Sequence, residues 1–559
     1  MSGLYLLVAT LPIVSVFLLL VVAKRPAGQV MPIAYGITVA IALAVWRVPL
    51  AEVAAASIQG LFATAEILYI VFGAALLLNV LTLSGAIAAI RQSLLGISPD
   101  RRIQVIIIAW LFGSFIEGAS GFGTPAVITV PLLVSVGFPA MAAVVAALII
   151  QSTPSTFGAV GTPLLIGIDN GLAGSTAVQQ HLQTLGLTPA EYLQAVGRWA
   201  SLFHGVIGTF LPLVLVVTIT WGFSDRKSIA DGLAVWPFAL FAGLAFTLPY
   251  ILTAWLVGPE FPTLVGGLVG LAVVVPAARQ GWFRPAAPWD FPPADQWPDS
   301  WRGRLMAAPP QRPDMRPKTA FAAWLPYGLL GCLLMASRLS FLPLRGWLQS
   351  VTVTWSGIFG TEATAAIQPL YLPPTMFIVV VAITACLHRM KLRRLGTATV
   401  QTLPILQKTA LALGAAILMA RVFINTGVNT AGLASMPLTL ADGMADLAGQ
   451  TWPFFAPMVG LVGSFVAGSV TVSNLMFSLF QFGVAVKTGV STAAILGLQT
   501  VGASAGNIIC VSNVVAAEST VDFVGREGLL LRRVLLPTIY YVGFAGVLGS
   551  LAVWWAGQG

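Results

Sequence analysis

Apolar residues run along this chain in blocks about as long as a membrane is thick. The first block, Leu4 to Ala23, is followed by others to the end of the sequence. A spanning helix needs about 20 consecutive apolar residues. Roughly twelve to fourteen segments meet that length, some of them broken. The pattern predicts an all-α polytopic membrane protein. Four blocks carry polar breaks at what would be membrane depth. The first is Glu117 to Pro125 and the second Gln151 to Pro163. The third is Gly468 to Asn474, and the fourth runs from Gln499 to Asn507 and on to Asn513. Lipid solvates neither open backbone nor charge, so such breaks survive only where protein buries them or where they line a cavity.

The breaks belong to an internal repeat. Phe72–Leu78 matches Leu413–Met419, Gly113-Ser114-Phe115 matches Gly463-Ser464-Phe465, and Gly118 matches Gly468. Gln151 and Gly158 match Gln499 and Gly506 at the same spacing. Cations give orientation. They cluster at Lys24-Arg25, Arg91 with Arg101-Arg102, Arg226-Lys227, Arg279 to Lys318, His388 to Arg394, and Arg532-Arg533. The positive-inside rule puts most of these in the cytoplasm and the N-terminus outside. The helix through Gly73 then runs toward the cytoplasmic side, and the helix through Gly414 starts there. The copies are expected to be inverted, as in secondary transporters with a site at the repeat interface.

The expected organisation is N-terminal membrane helices (1–50), a first transport repeat (51–168) and connecting helices (169–278). A Pro-rich cytoplasmic loop (279–318), more connecting helices (319–398), a second transport repeat (399–520) and a C-terminal helix (521–559) follow. The start of the chain has neither a cationic leader nor a small-residue cleavage signature, so it reads as an uncleaved first helix.

Composition sharpens the class. Of 559 residues, 57% are hydrophobic and 8% charged, against about 25% charged in soluble domains. The net charge of +9 fits membrane topology rather than nucleic-acid binding. Three cysteines have neither metal nor disulfide spacing. The three histidines form no HExxH motif, and no P-loop is present. No metal, no cofactor, no ATP hydrolysis and no enzyme activity is expected.

The breaks are chemically suited to an anion. Gly permits unusual dihedrals, Pro removes a donor, and half-helix N-termini attract carboxylates. Ser, Thr and Asn add neutral hydrogen bonds. The alternative is that these small residues pack helices closely. Glu117 would cost ~2.5–3.5 kcal/mol if ionised and unpaired in the membrane. It reads either as a proton carrier or substrate partner, or as a carboxylate capping a helix end. Arg421, deep in an apolar run, either binds a carboxylate bidentately or snorkels to the interface. Lys408 and Glu66 lie near segment starts, where a structural role dominates. His204 reads as a structural hydrogen-bonder or a group titrating near neutral pH.

The string FIEGASGFGTPAVITVPLLVSVGFPAMAA, followed by QSTPSTFGAVGTP from Gln151 to Pro163, resembles the lactate permease family. Its members are bacterial inner-membrane symporters that take up L-lactate, D-lactate or glycolate with protons. The likeness continues through Gly468-Ser469, Ser473-Asn474 and Gly502 to Gly506, and is weak from Asp225 to Lys318. The chain departs from the family at three places. Val470 stands where an acid is usual, Asn507 where a lysine is usual, and Val511-Ser512-Asn513 replace Pro-Gln-Ser. The resemblance implies proton-driven uptake of a small 2-hydroxymonocarboxylate, foremost lactate, across a bacterial inner membrane. Another small organic anion, or sodium coupling, is the alternative. The expected partners are the anion, protons and the lipid bilayer, with a homodimer by analogy to other inverted-repeat carriers. The expected substrate-binding residues are Ser120, Gly121, Gly123, Thr124, Ser152, Thr153, Ser155, Thr156, Arg421, Ser469, Thr471, Ser473, Asn474, Ser504 and Asn507, with Glu117 coupling the proton.

Overall fold

The computed structural model describes residues 2–23, 25–94, 96–121, 123–224, 227–303, 319–338, 342–521 and 526–556. Among them, eight helices are long and apolar enough to cross a membrane, and six shorter apolar helices accompany them. One two-stranded antiparallel ribbon, β1 (Val353–Trp355) with β2 (Ala365–Ile367), is the exception to an all-α polytopic fold.

The chain begins with α1 (Ser2–Phe17), α2 (Ala27–Ala44), α3 (Leu50–Leu83) and α4 (Ala86–Leu94). Then come α5 (Arg101–Ser120), α6 (Thr124–Ser135), α7 (Ala140–Ile149) and α8 (163–172). The middle of the chain holds α9 (Thr176–Leu185), α10 (Pro189–Gly222), α11 (Ile229–Leu233), α12 (Trp236–Leu256) and α13 (Pro262–Arg279). The second half repeats the scheme with α14 (Ala320–Arg338), α15 (Pro343–Gln349), α16 (Pro373–Leu387), α17 (Leu392–Asn425) and α18 (Met436–Ala448). It ends with α19 (Trp452–Ala467), α20 (Val470–Thr488), α21 (Thr492–Gly506), α22 (Val511–Ser519) and α23 (Glu527–Ala556).

The inversion is visible in one helix pair. α3 and α17, each 34 residues, carry the matching segments and pack on one another. Gln59 bonds Asn425 at 3.1 Å, and Asn79 bonds Thr402 at 3.0 Å. Between these pairs, Gly60 lies on Leu418 and Gly414 on Thr64. Residue numbers fall on one helix as they rise on the other, so equivalent helices run in opposite directions. Other contacts obey the same exchange of halves. α2 packs on α17 as α16 packs on α3, and α1 meets α18 as α14 meets α4.

Two pairs of helices fold back on themselves. At the open end of α5–α6, Arg101 donates to the Val136 carbonyl, and nearer the tip Gly113 faces Thr129. In α19–α20, the Trp452 indole donates to Gln481 at 2.8 Å, and Ser473 donates to the Gly460 carbonyl at 2.9 Å. Both are re-entrant hairpins. Their tips turn at Gly121 and Gly123 (φ +58° and +76°) and at Gly468 (φ +75°), a region in which a side chain is strained. Phe122, in the expected first break, lies outside the described residues.

α7 and α8 form one broken segment. Between them lie a turn, a short 3₁₀ stretch (Ser155–Phe157) and three left-handed residues, Ala159, Val160 and Gly161. A β-branched residue there is a conformational outlier. The fourth break differs from expectation. Residues 499–506 stay helical within α21, and the chain opens only from Asn507 to Cys510. The glycines serve packing instead. A side chain on Gly502 would strike the Pro457 backbone, one on Gly506 the Leu461 backbone, and one on Gly460 the Gln499 backbone. α19 and α21 therefore cross at backbone distance, the close approach that small residues allow in membranes.

The described part of the Pro-rich loop is docked rather than extended. The Arg101 amide donates to Trp289, and the Met141 amide donates to Trp301. Phe291 packs edge-on against Phe138, with centroids 4.9 Å apart. These contacts cover the open end of the first hairpin. The rest of the loop, 304–318, lies outside the described residues.

The glycine crossing is testable. Gly502→Val should lower the melting temperature in detergent, because overpacking costs about 1–3 kcal/mol. Gly331→Val, which meets nothing within 4 Å, should leave it unchanged. Equal melting of the two variants would refute the crossing.

Candidate functional site

The two hairpin tips, one from each repeat, close on the same turn of chain. A side-chain carbon on Gly123 would lie 2.9 Å from Asn513 Oδ1, and one on Gly468 would lie 3.2 Å from Ser512 Oγ. Ser512 also donates to the Gly468 carbonyl at 3.2 Å. Ser512 is exposed and Asn513 buried. Three half-helices therefore start together: α6, α20 and α22. Of their N-cap residues, Gly123 and Ser469 make no side-chain capping bond, whereas the Cys510 thiol meets the Ser512 hydroxyl at 2.9 Å and the Ser512 and Asn513 backbone. First-turn N–H groups lack intrahelical partners, and the positive ends of three helix dipoles converge. Such an arrangement is suited to an anion.

Glu117 stands next to the first tip, on the last turn of α5, and is 3% exposed. Its carboxyl presses on Gly158, where any side-chain carbon would come within 2.7 Å of Oε1. It shares a hydrogen bond with Ser155, while Oε2 is buried without a partner among the described residues. Ser155 in turn donates to the Gln151 carbonyl and accepts from Asn507 Nδ2 at 3.1 Å. Asn513 donates to Asn507 Oδ1 at 2.8 Å. One chain of bonds thus runs from the acid of the first repeat through both broken segments to the tips.

A second set surrounds Thr156. Its hydroxyl meets His204 Nε2 at 2.7 Å, Ser504 Oγ at 2.8 Å and Thr500 Oγ1 at 3.2 Å. His204, fully buried on α10, uses its other ring nitrogen on the Tyr541 hydroxyl of α23 at 2.5 Å. That hydroxyl also meets Thr153 Oγ1 at 2.8 Å. The Thr153 and Pro154 carbonyls accept from Tyr250 and Thr263. The non-helical backbone of the first broken segment is satisfied this way, as burial requires. On the second hairpin, Asn474 donates to the Pro163 carbonyl and to Thr500. Asn474 Oδ1 and Gln151 Oε1 are buried acceptors without partners among the described residues.

The expected residues therefore fall into groups. Gly121, Gly123, Thr124 and Ser469 form the tips. Thr153, Ser155, Thr156, Asn474, Ser504 and Asn507 are joined by the buried bonds. Ser473 bonds Gln499 at 3.2 Å, and Thr471 packs its backbone on Gly167. Thr471, Ser473 and Asn474 are helical, not part of the break. Ser120 and Ser152 bond back to their own helices, at Ile116 and Ile149. Arg421 is placed elsewhere. Its guanidinium donates to Asn170 of α8 and feels the carboxylates of Asp169 and Glu66. Among the described residues it makes no contact with the tips. Sequence reasoning left Gln151, Ser512 and Asn513 out of the site although they stood within the breaks. Tyr541 had no signal at all, being one of two adjacent tyrosines in an apolar helix.

Inverted repeats, re-entrant hairpins and paired broken segments define a polytopic membrane transporter. The L-lactate permease family profile matches residues 5–555, and the chain belongs to that family. It is 27% identical to the L-lactate permease of Bacillus subtilis (strain 168), over 96% of this chain and 93% of that protein. It is 26% identical to the L-lactate permease of Escherichia coli (strain K12), over 98% and 95% of the two chains. Identity to the glycolate permease GlcA of the same strain is also 26%, over 98% and 96%.

The Thr156 cluster predicts a stability effect. His204→Leu removes one hydrogen-bond partner each from the Thr156 and Tyr541 hydroxyls, which keep Ser504, Thr500 and Thr153, at about 0.5–1.5 kcal/mol per bond. Thermal unfolding in detergent should show a clear loss for Leu and a smaller one for His204→Gln. An unchanged transition for Leu would mean the bonds contribute nothing.

Proposed function

We propose that this chain takes up a small 2-hydroxymonocarboxylate, foremost lactate, by proton symport across the bacterial inner membrane. The observation that carries the reading is the convergence of three half-helix N-termini beside a buried acid. The N–H groups suit the carboxylate. The orphaned acceptors of Asn474 and Gln151 suit a hydroxyl on the neighbouring carbon, since a buried acceptor left unpaired is costly. Glu117 is the proton-linked group. It is the acid bonded to the site, and a carboxyl that alternates between ionised and neutral forms carries one proton per cycle. Glycolate is the second reading, favoured by the equal identity to a glycolate permease.

Alternating access follows from two bundles that each draw on both repeats. α1, α2, α3, α14, α16 and α17 form one, and the hairpins and broken segments with α10, α12, α13 and α23 form the other. The second bundle moves against the first. Arg421 on α17 and Asn170 on α8 face one another across that boundary, so Arg421 governs the movement rather than the grip on substrate.

Proteoliposomes with an imposed inward proton gradient test the central reading. Lactate should accumulate above equilibrium and glycolate less so; no concentrative uptake of either would defeat it. Glu117→Gln should abolish gradient-driven accumulation while lactate exchange across the membrane persists. Accumulation that survives this change makes Glu117 structural. Arg421→Lys should slow uptake with little change in apparent affinity. A drop in affinity of about 10- to 100-fold, the worth of a charged hydrogen bond, would instead place its guanidinium on the substrate.

A further inference from the structure

Away from the transport site, α10, α11 and α23 enclose a groove of about 420 Å³. Its walls are apolar: Leu213, Val217 and Trp221 from α10, Ile229 from α11 and Leu536 from α23. Ile229, Trp221 and Leu536 are exposed. The one ionisable group in the lining with a permanent charge is a cation, Arg533, and the lining holds no acid. Its guanidinium is held in place. Nη1 donates to the Gly222 carbonyl at 2.6 Å, and the group lies 5.0 Å over the Phe223 ring. No other hydrogen bond of that guanidinium occurs among the described residues, and Arg533 lines the groove. Lys227 and Arg532, both exposed, lie close by in sequence and mark the same face. The positive-inside rule assigns that face to the cytoplasmic leaflet.

From this geometry we infer that the groove is a binding site for one anionic phospholipid of the inner leaflet. One acyl chain lies along Leu213, Val217 and Leu536. The phosphodiester sits on Arg533, with Trp221 at headgroup depth. Charge complementarity chooses this occupant: an apolar trough ending in a fixed cation matches an acyl chain ending in an anion. Basic pockets between membrane helices on the cytoplasmic side are known to take anionic headgroups. A zwitterionic lipid would bring its own cation to a mouth that already has one.

Native mass spectrometry of the full-length protein tests the site, with phosphatidylglycerol and phosphatidylcholine of the same acyl chains as probes. The wild type should retain one phosphatidylglycerol through detergent exchange and hold phosphatidylcholine more weakly, by about fivefold for one charge near the surface. Arg533→Gln should erase that preference, and Arg533→Lys should keep most of it. Val217→Trp, which fills the trough, should lower retention of both lipids. Should the Gln variant fail to fold, the Lys and Trp variants still carry the test. Equal retention of the two lipids by the wild type, or retention unaffected by Val217→Trp, overturns the proposal. So does a groove whose filling dissociates a dimer, because the occupant is then a second copy.

Discussion

A helix interrupted at membrane depth exposes N–H and C=O groups that neither lipid nor the helix itself can satisfy. This chain interrupts four times, and most of its architecture follows from where those groups find partners. The hairpin tips end against one turn of chain at Ser512-Asn513. The carbonyls of Thr153, Pro154 and Pro163 are taken up by Tyr250, Thr263 and Asn474, each from a different helix. α10, α12, α13 and the second hairpin are therefore drawn in around the first broken segment. At the three half-helix starts Thr124 and Asn513 donate back to Gly121 and Cys510, and the first-turn N–H groups that remain give the structure capacity for an anion.

The inverted repeat makes this arrangement affordable twice over. Each broken segment packs against the hairpin of the other copy: α8 against α20, and α22 against α6. Each repeat thus buries part of the other's breaks, so the two copies stabilise one another. Inverted repeats of this kind are the architecture in which carriers alternate access, one repeat moving against the other. The symmetry is a property of the backbone, and the chemistry departs from it. The position equivalent to Glu117 is Ala467, and Ser155, bonded to Glu117, also receives Asn507 of the opposite repeat.

Much of this was legible from sequence where a residue type has one physical use. A carboxylate or a Gly-Phe-Gly-Thr-Pro string inside an apolar run points to a buried break, and the charge clusters point to opposed copies. Legibility failed where one residue type has two uses. Gly502 and Gly506 were taken for a break because glycine loosens a helix, but here it lets α19 and α21 touch. An arginine in an apolar run suits either carboxylate binding or snorkelling, and the sequence does not display that α17 brings Arg421 to Asn170. Tyr541 lies 337 residues from His204, and nothing local in either helix foretells that pair. The long-range partner of a buried polar group is set by helix packing, which a single sequence does not display.

The missing family charges fit this account. Where the family resemblance implies an acid and a base, this chain has Val470 and Asn507, one at the start of α20 and one at the end of α21. Val470 is buried, and Asn507 is bonded on both sides, to Ser155 and to Asn513. A lysine at 507 would need a counter-charge in a site where Glu117 is the nearest bonded acid, and pairing them would fix that acid in its ionised form. With both charges replaced, net local charge is unchanged, but Glu117 keeps an unpaired oxygen. On the reading proposed above, this acid exchanges the proton, and backbone dipoles rather than a competing ammonium hold the anion. That reading assigns specificity to the shape of the half-helix nest and the neutral acceptors around it, and coupling to a single carboxyl.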